Sequence, residues 1–132
     1  MSPDDAMRRI DALLAHVWMV RAFLKHSDDV VDDDEVQGIQ RALYDYQLAV
    51  GESWKNQDAA AYLALARKKF AKLRAASAEF TRLQPEVSSH TNFQMAAASL
   101  ATAVGEIGRI LEQIGHDRAQ TATGDFSDEL SP

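Results

Sequence analysis

Apolar residues in this chain recur at intervals of three and four, the spacing that gathers side chains on one face of an α-helix. The first run comprises Met7, Ile10, Leu13, Leu14, Val17, Val20 and Leu24, and Ser2, Pro3, Asp4 and Asp5 precede it. Serine at an N-cap, proline at the first helical position and acids in the first turn are each favoured where backbone N–H groups lack partners. This predicts a helix ending at Lys25 or His26. The acidic stretch Ser27 to Asp34 then breaks the period, and Asp32 with Glu35 has the spacing of a capping box. A second helix is expected to follow, with Val36, Ile39, Leu43, Tyr46, Ala49 and Val50 as its stripe and Gly51 as its C-cap.

Asn56 or Asp58 can cap a third helix whose apolar face includes Tyr62, Leu65, Ala66, Phe70, Leu73 and Phe80, with Pro85 as its stop. Ser88 or Ser89 can cap a fourth, with Phe93, Ala97, Leu100, Val104, Ile107, Leu111 and Ile114 on one side and Gly115 at its end. From His116 onward the residues are small, polar or acidic without sustained period. The expected organisation is one bundle domain over residues 1–115 and a flexible acidic tail over 116–132. Four amphipathic helices on short connections predict an all-α, antiparallel up-and-down four-helix bundle, since short loops make sequential helices neighbours.

At 132 residues, with 46% hydrophobic and 26% charged positions, the chain is suited to bury one core without covalent staples. It has no cysteine, which excludes disulfides, thiol catalysis and cysteine-based metal centres and suits a reducing cytoplasm. The acidic N-terminus is unlike a signal peptide and no apolar run reaches membrane-spanning length, so a soluble cytoplasmic protein is expected. A net charge of -6 argues against general nucleic-acid binding.

One cation interrupts the first apolar stripe: Arg21 falls between Leu14, Val17 and Leu24. Lys69 does the same in the third helix, between Leu65, Leu73 and their neighbours. A cation removed from water needs an anion or acceptors, and no carboxylate sits in the middle of the second or fourth stripe. Convergence of Arg21 and Lys69 on a small anionic ligand, with Tyr46 and Gln47 as polar neighbours, is one expectation. The other has both side chains lay their methylene stems over the core and reach water or a surface acid such as Asp45 or Glu52.

Histidines at 16, 26, 90 and 116 lack the spacing of a helical zinc or di-iron site, so neither metal nor cofactor is expected. The acidic run 28–35 lacks the register of a calcium loop. Arg21 to His26 and Arg109 to His116 match an Arg-x(4–6)-His pattern, and in this the chain resembles the HEPN family of all-α ribonucleases. The resemblance covers only those residues, and Ala22 and Ile110 stand where that family places a polar residue. It implies phosphodiester cleavage by the paired Arg and His, across a dimer interface.

Helix four carries small residues along one flank, Ala97, Ala98, Ala101, Gly105 and Gly108. Two glycines inside a helix cost about 1 kcal/mol each relative to alanine, which points to close approach of another helix. Trp18, Phe23, Tyr44 and Trp54 fall outside or at the margin of the stripes, and exposed aromatics mark interfaces. The resulting expectation is a protein-interaction module, a homodimer or a binder of another protein. Trp18, Trp54, Ala101, Gly105 and Gly108 are its candidate contact residues.

Overall fold

The computed structural model describes the backbone of residues 1–130 and the side chains of residues 1–118. Four helices run in order, α1 Pro3–His26, α2 Asp34–Lys55, α3 Ala59–Val87 and α4 Thr91–Leu130, with no strand among the described residues. Each sequential pair packs together, α4 closes the ring against α1, and α1 meets α3 across the middle. The cross-links give the directions. Gln47 Nε2 donates to the Leu14 carbonyl and Gln37 Nε2 to the Leu24 carbonyl, so α2 descends as α1 rises. Tyr46 reaches Ala66 and Arg67 reaches the Leu111 carbonyl, which continues the alternation through α3 and α4. The bundle is antiparallel and up-and-down, as the period and the short connections predict.

The helix starts follow local chemistry. Ser2 Oγ accepts the Asp5 N–H at 3.1 Å and Asp58 Oδ1 accepts that of Ala61 at 3.1 Å, each filling one of the donors a helix start leaves open. The α2 cap is Asp33 rather than Asp32, accepting from Val36 N at 3.1 Å. Val30 is responsible: it is buried, its carbonyl accepts the Asp33 N–H, and Gln37 Nε2 bridges the Val30 and Leu24 carbonyls. Docking this valine fixes where the turns between α1 and α2 end. At α4 neither Ser88 nor Ser89 caps the helix; His90 stands before Thr91 and its Nδ1 accepts the Asn92 N–H at 3.0 Å, while Ser88 Oγ holds the His90 N–H.

Three expected stops are passed. Helix α2 continues beyond Gly51 to Lys55, and the added turn buries Ser53 and sets the Trp54 ring edge-on to Tyr62 at 6.2 Å. The chain reverses instead at Gln57, whose φ of 53° is left-handed. Pro85 lies inside the last turn of α3, at an exposed position where the carbonyl it leaves unpaired can turn to water. Helix α4 carries on through Gly115 to Leu130. The expected flexible tail begins within that helix, and most of it, the side chains of 119–130 and all of 131–132, lies outside the described residues.

The core is a continuous cluster in which Tyr62, Phe80, Met7, Ile10, Leu24 and Leu100 are among the largest fully buried side chains. Among the described residues no helix is long and apolar enough to cross a membrane.

Candidate functional site

Between Asp11 and Lys25 of α1, and again between His90 and Glu106 of α4, charge is nearly absent. Of the chain's 14 basic and 20 acidic residues only Arg21 falls in either stretch, and Arg21 is buried. The two stretches lie side by side. The Met1 amino group is 3.8 Å from the Asp117 carboxylate and the Phe23 and Phe93 rings meet edge to face at 4.9 Å, so α1 and α4 run antiparallel with residues 12–24 alongside roughly 93–105. Their outward positions carry Ala12, Ala15 and Met19 on one helix and Met95, Ala98 and Thr102 on the other, all exposed. Met19 is 68% and Met95 59% accessible. On α2 and α3 the exposed positions instead carry Arg41, Asp45, Lys68, Lys72, Glu86 and others. The stretches are poor in charge rather than wholly apolar, since His16, Asn92, Gln94 and Thr102 are exposed within them, yet large apolar side chains stand out between these polar ones.

Trp18, 43% exposed, edges this face next to Met19. The other expected contact residues lie elsewhere. Trp54 is half-buried against Tyr62 at the α2–α3 reversal. Ala101, Gly105 and Gly108 line a groove of about 440 Å³ between α3 and α4, together with Phe70, Arg74 and Ser77. The two glycines differ: a Cβ on Gly108 would stand 2.9 Å from Phe70 Cζ, whereas one on Gly105 would meet nothing within 4 Å. The Phe70 ring, rather than close approach of a helix backbone, accounts for the first, and no contact accounts for the second. Gly105→Ala should therefore stabilise the fold by about 0.5–1 kcal/mol through helix propensity alone. Gly108→Ala should gain less or lose, because Phe70 must move; denaturant midpoints of the two variants check this.

The four residues of the expected anion site divide between two neighbours. Lys69 lines an α2–α3 groove with Asp45, Tyr46 and Lys72, and the Tyr46 hydroxyl donates to the buried Ala66 carbonyl at 2.9 Å. Arg21 belongs to the α1–α2 side, its guanidinium carbon 4.7 Å from the Trp18 ring centre and 4.6 Å from that of Tyr44. Gln47, also on that side, gives its Nε2 to Leu14. The groove that Lys69 lines does not include Arg21.

No protein-family model, curated protein or solved structure matches this chain.

A polar cluster that the stripes do not disclose joins three helices near the start of α1. The Tyr62 hydroxyl donates to Asp11 Oδ1 at 3.1 Å, and burial, with Asp11 and then Tyr46 adding to it, holds the Tyr62 phenol protonated. Desolvation raises the Asp11 carboxyl above its ordinary value against the smaller, opposite effect of the Tyr62 hydrogen bond. A raised folded-state value means that the native protein binds this proton more tightly. The contribution of Asp11 to stability is then greatest at low pH and declines as pH rises from the ordinary carboxylate value through the folded one. Asp11→Asn, which keeps an oxygen for Tyr62, should raise the melting temperature at neutral pH. That advantage should vanish below about pH 4, where the unperturbed carboxylate protonates. An advantage equal at both pH values would assign it to another cause.

The two Arg–His pairs are set differently from one another. Arg21 lies among rings while His26 is exposed at the end of α1, and Arg109 is exposed and paired with Glu106 at 2.9 Å. Among the described residues no group of three His, Asp or Glu side chains is placed to hold a metal ion. Met19 and Met95 are invisible to an apolar-stripe reading because each lies off its stripe. The signal that finds them is missing charge, counted along α1 and α4.

Proposed function

We propose that this protein acts through protein contacts, and that its α1–α4 face pairs with the same face of a second copy. The supporting observation is the adjacency of two stretches whose one Lys, Arg, Asp or Glu is the buried Arg21, with Met19 and Met95 exposed at their centre. A two-fold interface lays a patch upon itself, so any charge near the axis meets its own kind. In a chain of net charge -6 most surfaces resist that pairing. This face carries no exposed carboxylate, lysine or arginine, and small residues such as Ala15 and Ala98 let helices approach while the flexible methionines fill what remains.

Two helices about 10 Å apart, each presenting roughly 20 Å of length, offer about 400 Å² per copy before the rims are counted. The total of about 800 Å² lies below the range of stable specific interfaces and suits a weak, transient dimer, so dissociation at micromolar or higher concentration is expected. Cysteine-free composition suits a reducing compartment, and the cytoplasm is the proposed place of action. Light scattering across a concentration series tests the reading. A dimer that dissociates on dilution supports it, and a monomer mass throughout the high-micromolar range rejects it.

A further inference from the structure

We infer that Met19 and Met95 are peroxide-sensitive modification sites, and that their oxidation to sulfoxide dissociates the pairing proposed for the α1–α4 face. The inference rests on that reading and adds a means of regulating it. With no cysteine in the chain, its sulfur chemistry belongs to four methionines, and their surroundings differ. Met7 is 1% exposed inside the core, whereas Met19 and Met95 stand in water on two helices that lie side by side. Met1, 36% exposed, sits at the far end of the bundle, where its amino group meets Asp117. Roughly 25 Å of helix separates it from Met19.

Hydrogen peroxide oxidises a thioether without any further reactant. A sulfur lone pair attacks one peroxide oxygen, the O–O bond breaks as the S–O bond forms, and the other oxygen leaves as water with both protons. Sulfur loses two electrons and the peroxide gains them. The product carries a polar, chiral group where a flexible apolar one stood. On a free copy that group is hydrated, so the monomer keeps its fold. Against a second copy it must give up this water, and the packing that thioethers make on alanines such as Ala15 and Ala98 is lost. The two-fold axis brings four such groups to one contact. Pairing and oxidation therefore oppose each other: a paired copy covers its two sulfurs, so the peroxide acts on the monomer. Met1 lies outside the shared face and serves as a control within the same chain.

The test exposes the full chain to a pulse of hydrogen peroxide at protein concentrations well below and well above the dissociation constant. Peptide mapping by mass spectrometry reads each methionine, and light scattering reads association in the same samples. Met19 and Met95 should oxidise several-fold more slowly at the higher concentration, Met1 equally at both, and Met7 at neither. Full oxidation of the exposed pair should raise the dimer dissociation constant at least about tenfold. Reduction by the two epimer-specific methionine sulfoxide reductases should return the dimer. Met19→Leu combined with Met95→Leu conserves volume and should stay paired through the same treatment. A dimer that survives oxidation of both methionines overturns the inference and leaves self-association standing, as does dissociation of the double-leucine variant by peroxide. Oxidation rates of Met19 and Met95 that ignore concentration in a protein that does pair also overturn it. A chain that is monomeric at every concentration before treatment rejects self-association, and this inference with it.

Discussion

Met19→Glu should raise the dimer dissociation constant at least about a hundredfold, since like charges set against each other across an interface cost several kcal/mol and each 1.4 kcal/mol is tenfold. A two-fold axis doubles the effect of any single substitution, because each copy brings its own glutamate to the shared face. Ala98→Glu on the neighbouring helix should act in the same direction. Neither change should unfold the monomer, since both positions are exposed and glutamate is a good helix former. Leu48→Glu is the control: Leu48 is 60% exposed on α2, so it loses a similar apolar surface in another place. Sedimentation equilibrium on the three variants should leave Leu48→Glu a dimer and convert the others to monomers. If all three behave alike, the contact lies elsewhere. High salt should partly restore pairing of the glutamate variants by screening, and should leave the wild-type protein paired.

The helices are legible in the sequence because burial of a helix requires only that one side be apolar, and Leu14, Leu43, Leu73 and Leu100 mark that side on all four. Ends are less legible, and for a tertiary reason. Gly51 has the local chemistry of a cap, but ending α2 there would withdraw Ser53 and Trp54 from their packing. Pro85 forbids one hydrogen bond, and at an exposed position in a final turn that loss is tolerated. Arg21 stands out as an anomaly since a cation inside a stripe must go somewhere, but the stripe cannot say which neighbour receives it. Trp18 precedes it on the same helix, whereas Tyr44 depends on how α2 is rotated against α1. Lys69 has the same signature in sequence and a different outcome, because the groove it lines opens toward Asp45. The α1–α4 face is hidden for yet another reason. Apolar periodicity shows which side of a helix is buried within one chain, while a second buried side appears only as charge that is not there.

Phe80→Ala should destabilise the monomer severely, by about 3–5 kcal/mol. Phe80 is fully buried in α3 and its removal deletes a ring from the continuous core, leaving a cavity that helices locked by their own hydrogen bonds close only in part. Against a total of about 5–15 kcal/mol for a domain, such a loss brings the monomer near the edge of unfolding. Phe70→Ala, ten residues earlier on the same helix, should cost clearly less. Phe70 is only half-buried, with the Arg74 guanidinium carbon 5.5 Å above its ring, and it floors a groove that already opens to water. Removing it also frees the space that a Cβ on Gly108 needs, so Phe70→Ala and Gly108→Ala should combine non-additively, the second change becoming favourable in the presence of the first. Urea unfolding of the monomeric Met19→Glu background is the right measurement, since dimerisation would otherwise add a concentration-dependent term to every midpoint. In that background a Phe80→Ala loss no larger than that of Phe70→Ala would place the core elsewhere than among these four helices.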